Sequence, residues 1–389
     1  MSNILSSHYH PPDLATTRKN FSKPILVFLS TLITCYLTLR YRIPFGFLSV
    51  VTCFVLFQLF FSNLFKKFLE RFLGASIAAA LSIGILISLH TLPILSGLAG
   101  VLITFLFFYG YARRIYDYSM VLGGITFVLI FGFYYFITPA SAKELAWYWP
   151  LNILIGGLCA VVLFYLSKLC TVFYKFLKIL NSHPSSSNSL NFLNFLNFLG
   201  SQASTIEDSH SSVLPQSYLA SGLISLRITL TLLIIILQNV WMHHASTMIQ
   251  AIIAGSVITA QLEIKHSHHR FLFRVLGVIL GTLIAVALGH IATEMVAPGF
   301  WPTFWIACFI IITLTFFSVC TLVFPSTFDY FFLQAGVMLP VVLLSGSHGT
   351  LYNTSIGISR AIGSIEGGLI GLVLVYLFQW PIKKIYSRR

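Results

Sequence analysis

Charge is what this sequence has least of. Only 8% of its 389 residues are Asp, Glu, Lys or Arg, against about 25% in a soluble domain. So few charges cannot cover a globular surface with solvated side chains. With 57% hydrophobic residues and a mean hydropathy of +0.89, lipid is the solvent for most of the chain. Acids are scarcer than bases, 10 against 23, which leaves a net charge of +13. That excess would suit nucleic acid, but the cations sit in short turns between apolar runs instead of along one groove. CxxC spacing is absent. The six cysteines (Cys35, Cys53, Cys159, Cys170, Cys308, Cys320) lie in or at the ends of apolar runs, where they read as small buried hydrophobes that carry no information about redox compartment. HExxH, Walker A and nucleophile-elbow patterns are also missing, which argues against an intramembrane protease or an ATP-driven pump. The N-terminus is polar for about twenty residues, and no small-residue cleavage site follows its first apolar run, so that run reads as an uncleaved insertion signal.

What the chain does have is an internal echo. Gln58-Leu59, eight residues, then Phe68-Leu69-Glu70-Arg71-Phe72-Leu73-Gly74 returns as Gln261-Leu262, eight residues, then Phe271-Leu272-Phe273-Arg274-Val275-Leu276-Gly277, at an offset of 203. Each copy closes one apolar segment, forms a basic hinge and opens the next. Both openings carry small residues at i+4, Gly74/Ala78 and Gly277/Gly281, a spacing that lets a second backbone approach closely. Asp117-Tyr118 with Gly124 matches Asp329-Tyr330 with Gly336 at an offset of 212. Gly156–Leu166 matches Gly367–Leu377 at an offset of 211, with seven of eleven residues identical. The order of landmarks is conserved between halves, and loop insertions account for the drift in offset.

Hydropathy predicts an all-α integral membrane protein of about twelve spans, each near the ~20 residues that cross ~30 Å of hydrocarbon. They fall at about 24–39, 43–64, 72–90, 92–112, 118–138 and 147–167, then 224–241, 245–262, 273–292, 300–321, 328–346 and 357–378. Pro44, Pro93, Pro150 and Pro302 fall near span starts, where a missing N–H does no harm. With the N-terminus in the cytoplasm, eighteen Lys and Arg lie inside and three (Arg40, Arg42, Lys143) outside; the reverse orientation would invert the positive-inside bias. Arg227 is expected at the cytoplasmic edge of span seven, as the counterpart of Lys23, and Arg360 just inside the outer end of span twelve. Six spans per half make the two repeats parallel, with their symmetry axis along the membrane normal. The expected organisation is a cytoplasmic tail (1–23), a first six-helix repeat (24–179), a polar cytoplasmic linker (180–216), a second repeat (217–379) and a basic tail (380–389). The SLNFLNFLNFLG run at Ser189 to Gly200 has a strict three-residue period, which drifts around a helix; it reads as a low-complexity tether, or as a segment that rests on the inner leaflet surface.

Glu366 is the foremost candidate for chemistry. A carboxylate in mid-span costs roughly 2.5–3.5 kcal/mol on insertion scales, so it is a functional candidate by default, here for proton coupling. The bland alternative is a protonated Glu bonded to a neighbouring helix. Arg360 could meet an anionic substrate with its planar fork or snorkel to headgroups. Gln58 and Gln261 are candidate substrate contacts or inter-helix bonds. Asp117 and Asp329 suit helix N-termini. Arg71 and Arg274, with Gly74 and Gly277, form the repeated hinge and read as topology anchors and inter-helix clamps. The Lys265-His266-Ser267-His268-His269-Arg270 run is too cationic for a metal, but histidines titrate near neutrality and could sense pH. His90 and His290 fall at outer span ends. No metal site and no cofactor are expected.

At the paired Arg-x-Leu-Gly corner, the sequence resembles the fusaric acid resistance family, within the aromatic acid exporter superfamily. The resemblance rests on Arg71-Phe72-Leu73-Gly74, Arg274-Val275-Leu276-Gly277, Lys23 and Arg227 opening spans one and seven, and Arg360 with Gly363, Gly367, Gly368 and Gly371. It implies a non-enzymatic inner-membrane efflux protein for small aromatic or organic acids, often beside a periplasmic membrane fusion protein. The chain departs from longer members in lacking a sizeable cytoplasmic domain after each membrane block. An anion channel or a non-transport scaffold of the envelope are the alternatives.

Overall fold

The computed structural model describes residues 22–61, 63–115, 117–181, 218–242, 245–260, 264–294, 300–324, 328–344 and 354–386. The expected linker and its Ser189 to Gly200 run lie outside these residues, apart from its first two positions. The described residues form helices and connecting turns, without strands. In order these are α1 (Ser22–Arg40), α2 (Phe47–Leu59), α3 (Leu64–Ser88), α4 (Pro93–Ala112), α5 (Asp117–Phe136), α6 (Pro139–Asn181), α7 (Tyr218–Trp241), α8 (Ala245–Thr259), α9 (Ile264–Glu294), α10 (Phe300–Val323), α11 (Asp329–Leu343) and α12 (Thr354–Tyr386). Lipid offers the backbone no hydrogen bonds, so each apolar run satisfies its own amides as a helix. Pro93 opens α4, where its missing N–H is harmless. The turn after α1 places Arg42 and Phe45 at positive φ, 49° and 57°.

The outer surface is apolar. On α4, Ile94, Leu98, Leu102 and Leu106 recur every fourth residue and are 81%, 63%, 58% and 54% exposed. A stripe of that kind is soluble only in hydrocarbon. The chain is therefore a multi-pass membrane protein.

Twelve full spans were expected; among the described residues, nine helices are long and apolar enough to cross. The exceptions are α2, α8 and α11, of 13, 15 and 15 residues. At 1.5 Å per residue they reach about 20–22 Å. They need not span alone, because they are the buried elements: Val50, Phe54, Leu56 and Phe57 of α2, Ala251 and Ile252 of α8, and Ala335, Leu339 and Val342 of α11 are fully covered. Other helices overrun their predicted lengths. The 43 residues of α6 extend about 65 Å, so Pro150 is interior to that helix and does not open it. In α12 the helix continues to Tyr386, through most of the expected basic tail.

Close approach at small residues sets the helix pairs. A methyl added to Gly74 of α3 would lie 2.3 Å from Ser119 O of α5, and one on Gly281 of α9 would lie 2.3 Å from Ala335 O of α11. Gly156 of α6 meets Ser49 O of α2, and Gly367 of α12 meets Ala251 O of α8, both at 2.1 Å on the same measure. α1 also packs on α10, α4 on α7, α2 on α11 and α5 on α8.

Candidate functional site

The packing of α2 on α11 forms a seam near the middle of the bundle. Phe54 fills the space left by Gly336, where a Cβ would sit 2.5 Å from its ring. The helices run antiparallel here: Phe47 of α2 and Val341 of α11 share one end, joined by Arg360 of α12.

Arg360 is 9% exposed. Its Nη1 donates to Val341 O at 2.6 Å, and its guanidinium lies 4.7 Å from the Phe47 ring centroid. A flat cation over an aromatic face gains about 0.5–2 kcal/mol, and the carbonyl bond holds the plane in place. Among the described residues no carboxylate pairs with it. A buried charge without a counter-charge is costly, and here the Val341 carbonyl and the Phe47 ring face offset part of that cost.

At the other end of the seam, Gln58 Oε1 accepts from Thr321 Oγ1 of α10 at 3.0 Å. Its Nε2 is buried and donates to nothing. The amide thus joins α2 to α10 with half its capacity unused. Gln261 lies outside the described residues.

Glu366 is partly exposed in the middle of α12. It shares an i, i+4, i+7, i+11 stripe with Ile362, Leu369 and Val373, which are 45%, 48% and 54% exposed. Its side chain belongs to the outward-facing stripe of α12, in the middle of the helix as its mid-span position predicts. The cause is the glycine face. Gly363, Gly367 and Gly371 pack against Thr247, Ala251 and Gly255 of α8 and turn position 366 outward.

The repeated hinge has matching partners. Arg71 Nη1 donates to Tyr118 OH at 2.6 Å, tying α3 to α5. Arg274 Nη1 donates to Tyr330 OH at 3.4 Å, and its Nε to Ser364 Oγ at 3.0 Å, tying α9 to α11 and α12. Both tyrosines were visible in the sequence as repeat mates, beside Asp117 and Asp329. The available signal was that the arginine and tyrosine landmarks recur together; pairing them would have found both clamps. Phe47 and Thr321 had no such signal.

Arg227 departs from expectation. It is fully buried in α7, the tenth residue of the helix, not at an edge. Nη2 donates to Thr259 O of α8 at 2.5 Å. The carbonyl is available because α8 ends at Thr259, and the last carbonyls of a helix lack intrahelical partners. Of the cysteines, Cys35, Cys53 and Cys320 are buried and Cys159 and Cys308 half-buried, but Cys170 is exposed on α6. His268 and His269 are exposed near the start of α9, where His269 packs edge-on to Phe273. His290 pairs with Glu294 at 3.0 Å on the surface. The described residues contain no group of three metal-ligating side chains.

Comparison with curated proteins and with solved structures gives no match. Residues 28–163 match the family described as fusaric acid resistance protein-like, a stretch from within α1 to within α6 that contains Arg71 and Gly74, so the resemblance read at the repeated corner is borne out over the first half of the chain.

Proposed function

We propose that the chain is an inner-membrane secondary transporter that exports small aromatic or other organic acids, built as two parallel six-helix repeats with both termini cytoplasmic. Packing supports the two-repeat reading. Adding six to each helix label maps α1–α2 to α7–α8, α2–α6 to α8–α12 and α3–α5 to α9–α11, and each of these pairs is in contact. The crossed pairs α1–α10 and α2–α11 correspond to α7–α4 and α8–α5 in the same way. A reciprocal pattern of this kind is what a two-fold along the membrane normal generates. The excess of basic residues in the proposed inner loops supports the orientation.

The observation that carries the transport reading is Arg360: a buried guanidinium against an aromatic ring, at the contact between the two halves. Its plane suits a carboxylate and its surroundings suit a ring. Export of a monoanion is downhill by about 2.3 kcal/mol per 100 mV of inside-negative potential, and each exchanged proton adds about 1.36 kcal/mol per pH unit. Glu366 is the candidate coupling carboxylate, reached from the exterior stripe of α12. A periplasmic membrane fusion protein is the proposed partner.

Inside-out vesicles loaded with a pH dye and challenged with a panel of aromatic acids test this. Saturable uptake of a labelled acid that is lost in Arg360→Ala is the expected result. Substrate-evoked alkalinisation of the lumen that disappears in Glu366→Gln would establish proton exchange; unchanged pH dependence in that variant removes Glu366 as the coupling group. Flux far above ~10³ per second without saturation would make the protein a channel, given that typical protein-catalysed turnovers are 1–10³ per second.

A further inference from the structure

The end of the α2–α11 seam away from Arg360 holds three polar groups that the transport reading leaves unused. Lys23 of α1 lies over the Phe61 ring, 5.4 Å from its centroid, just beyond the end of α2. Lys23 and Asp329, the first residue of α11, attract each other across the boundary between the halves. Asp329 Oδ1 is buried and accepts no hydrogen bond. Gln58 Nε2, three residues before Phe61 in the chain, is buried and donates none. A buried donor and a buried acceptor are each costly to leave unmet, and here they lie at the same end of the seam as a cation.

We propose that Lys23 and Gln58 form a second carboxylate-binding site, the inner mouth of the seam, and that Asp329 is the resident anion an incoming substrate displaces. This rests on the transport reading above and names where the acid first binds. The chemistry is complementary. A carboxylate has two oxygens: one for the Lys23 ammonium and one for the Gln58 amide N–H. While the site is empty, Asp329 is the opposite charge that Lys23 faces at this end of the seam. An arriving carboxylate takes over the charge on Lys23 in place of Asp329. The corresponding cation in the other half is not available for this role. Arg227 is turned onto Thr259 O, so the site is one-sided although the packing is reciprocal. Glu70, a neighbouring carboxylate on α3, is committed to Lys67 at 2.7 Å.

Displacement fixes the signs of the test. The full chain in lipid nanodiscs is titrated with benzoate by calorimetry, with neutral benzamide as the control. Asp329→Asn removes the competing anion and is expected to tighten benzoate binding about tenfold. Lys23→Gln is expected to weaken it by at least as much, and benzamide is expected to bind none of the three proteins. A merely structural pair would lose affinity in both variants. A gain of affinity in Asp329→Asn cannot come from misfolding, so that variant decides the outcome even if Lys23→Gln is unstable. Affinity that falls in both variants, or is unchanged in both, overturns the site. If benzoate binding is absent from wild type and variants while vesicles still move it, this site is overturned and the transport reading stands. If wild-type vesicles also move no acid, both are overturned.

Discussion

Arg360 touches three helices with one side chain: its own α12, the Val341 carbonyl of α11 and the Phe47 ring of α2. Geometry matters there as much as charge. Arg360→Lys keeps a cation but loses the plane that lies on Phe47. Its initial rate of benzoate export from proteoliposomes is expected to fall at least tenfold, about 1.4 kcal/mol, with expression and melting temperature close to wild type. The hinge arginines behave differently, because each is tied to a tyrosine. Tyr118→Phe removes the 2.6 Å bond from Arg71 and is expected to cost about 1.5–3 kcal/mol, the usual range for a hydrogen bond to a charged group. Tyr330→Phe is expected to cost less, since its bond is 3.4 Å and Arg274 keeps Ser364. Thermal unfolding in detergent ranks the two. At this scale the sequence revealed which residues recur but not which side they face. Glu366 shows the limit. Its rarity was plain, but its direction depends on which α12 face the glycines commit to α8, and periodicity alone does not decide that in a helix apolar on every side.

Helices α8 and α12 meet along a ladder of small residues, with Gly363 on Thr247, Gly367 on Ala251 and Gly371 on Gly255. Each rung is four residues from the next on both helices, so one substitution must move the whole pair. Gly367→Ala places a methyl 2.1 Å from the Ala251 carbonyl oxygen, too close for any Cβ, and overpacking of this sort costs typically about 1–3 kcal/mol and occasionally more. Gly84 of α3 is the control, with nothing within 4 Å of its added methyl. Gly84→Ala is expected to be neutral or to raise stability by up to about 1 kcal/mol through helix propensity. Yield after size-exclusion chromatography and melting temperature measure both. The existence of these helices was legible because each apolar run is long and bounded by turns. Their lengths were not. Phe45, Phe60 and Phe61 extend the apolar run past both ends of α2, and hydropathy cannot separate a short buried helix from a full span when its flanks are equally greasy.

Across the whole molecule, the halves are built into one another. α1 of the first half packs on α10 of the second, α7 of the second packs on α4 of the first, and the inner pairs α2–α11 and α5–α8 cross in the same way. Cutting between Asn181 and Tyr218 leaves α6 and α7 whole, since α6 ends at the first and α7 begins at the second. Two separately encoded polypeptides, 1–181 and 218–389, are therefore expected to copurify through an affinity tag on either piece and to restore acid tolerance in a deletion strain. Neither piece alone is expected to do so, because each alone would leave the crossed faces of its own helices bare to lipid. A half-chain that has lost its complement carries the same kind of faces that another copy of itself could cover. Under the proposed two-fold, the chain is arranged as a dimer whose two subunits are joined in one polypeptide. Fusion then has a genetic effect as well as a structural one: once joined, the halves no longer need to stay alike, and one mouth could keep Lys23 and Asp329 free for a ligand while the other turned Arg227 inward as a structural bolt.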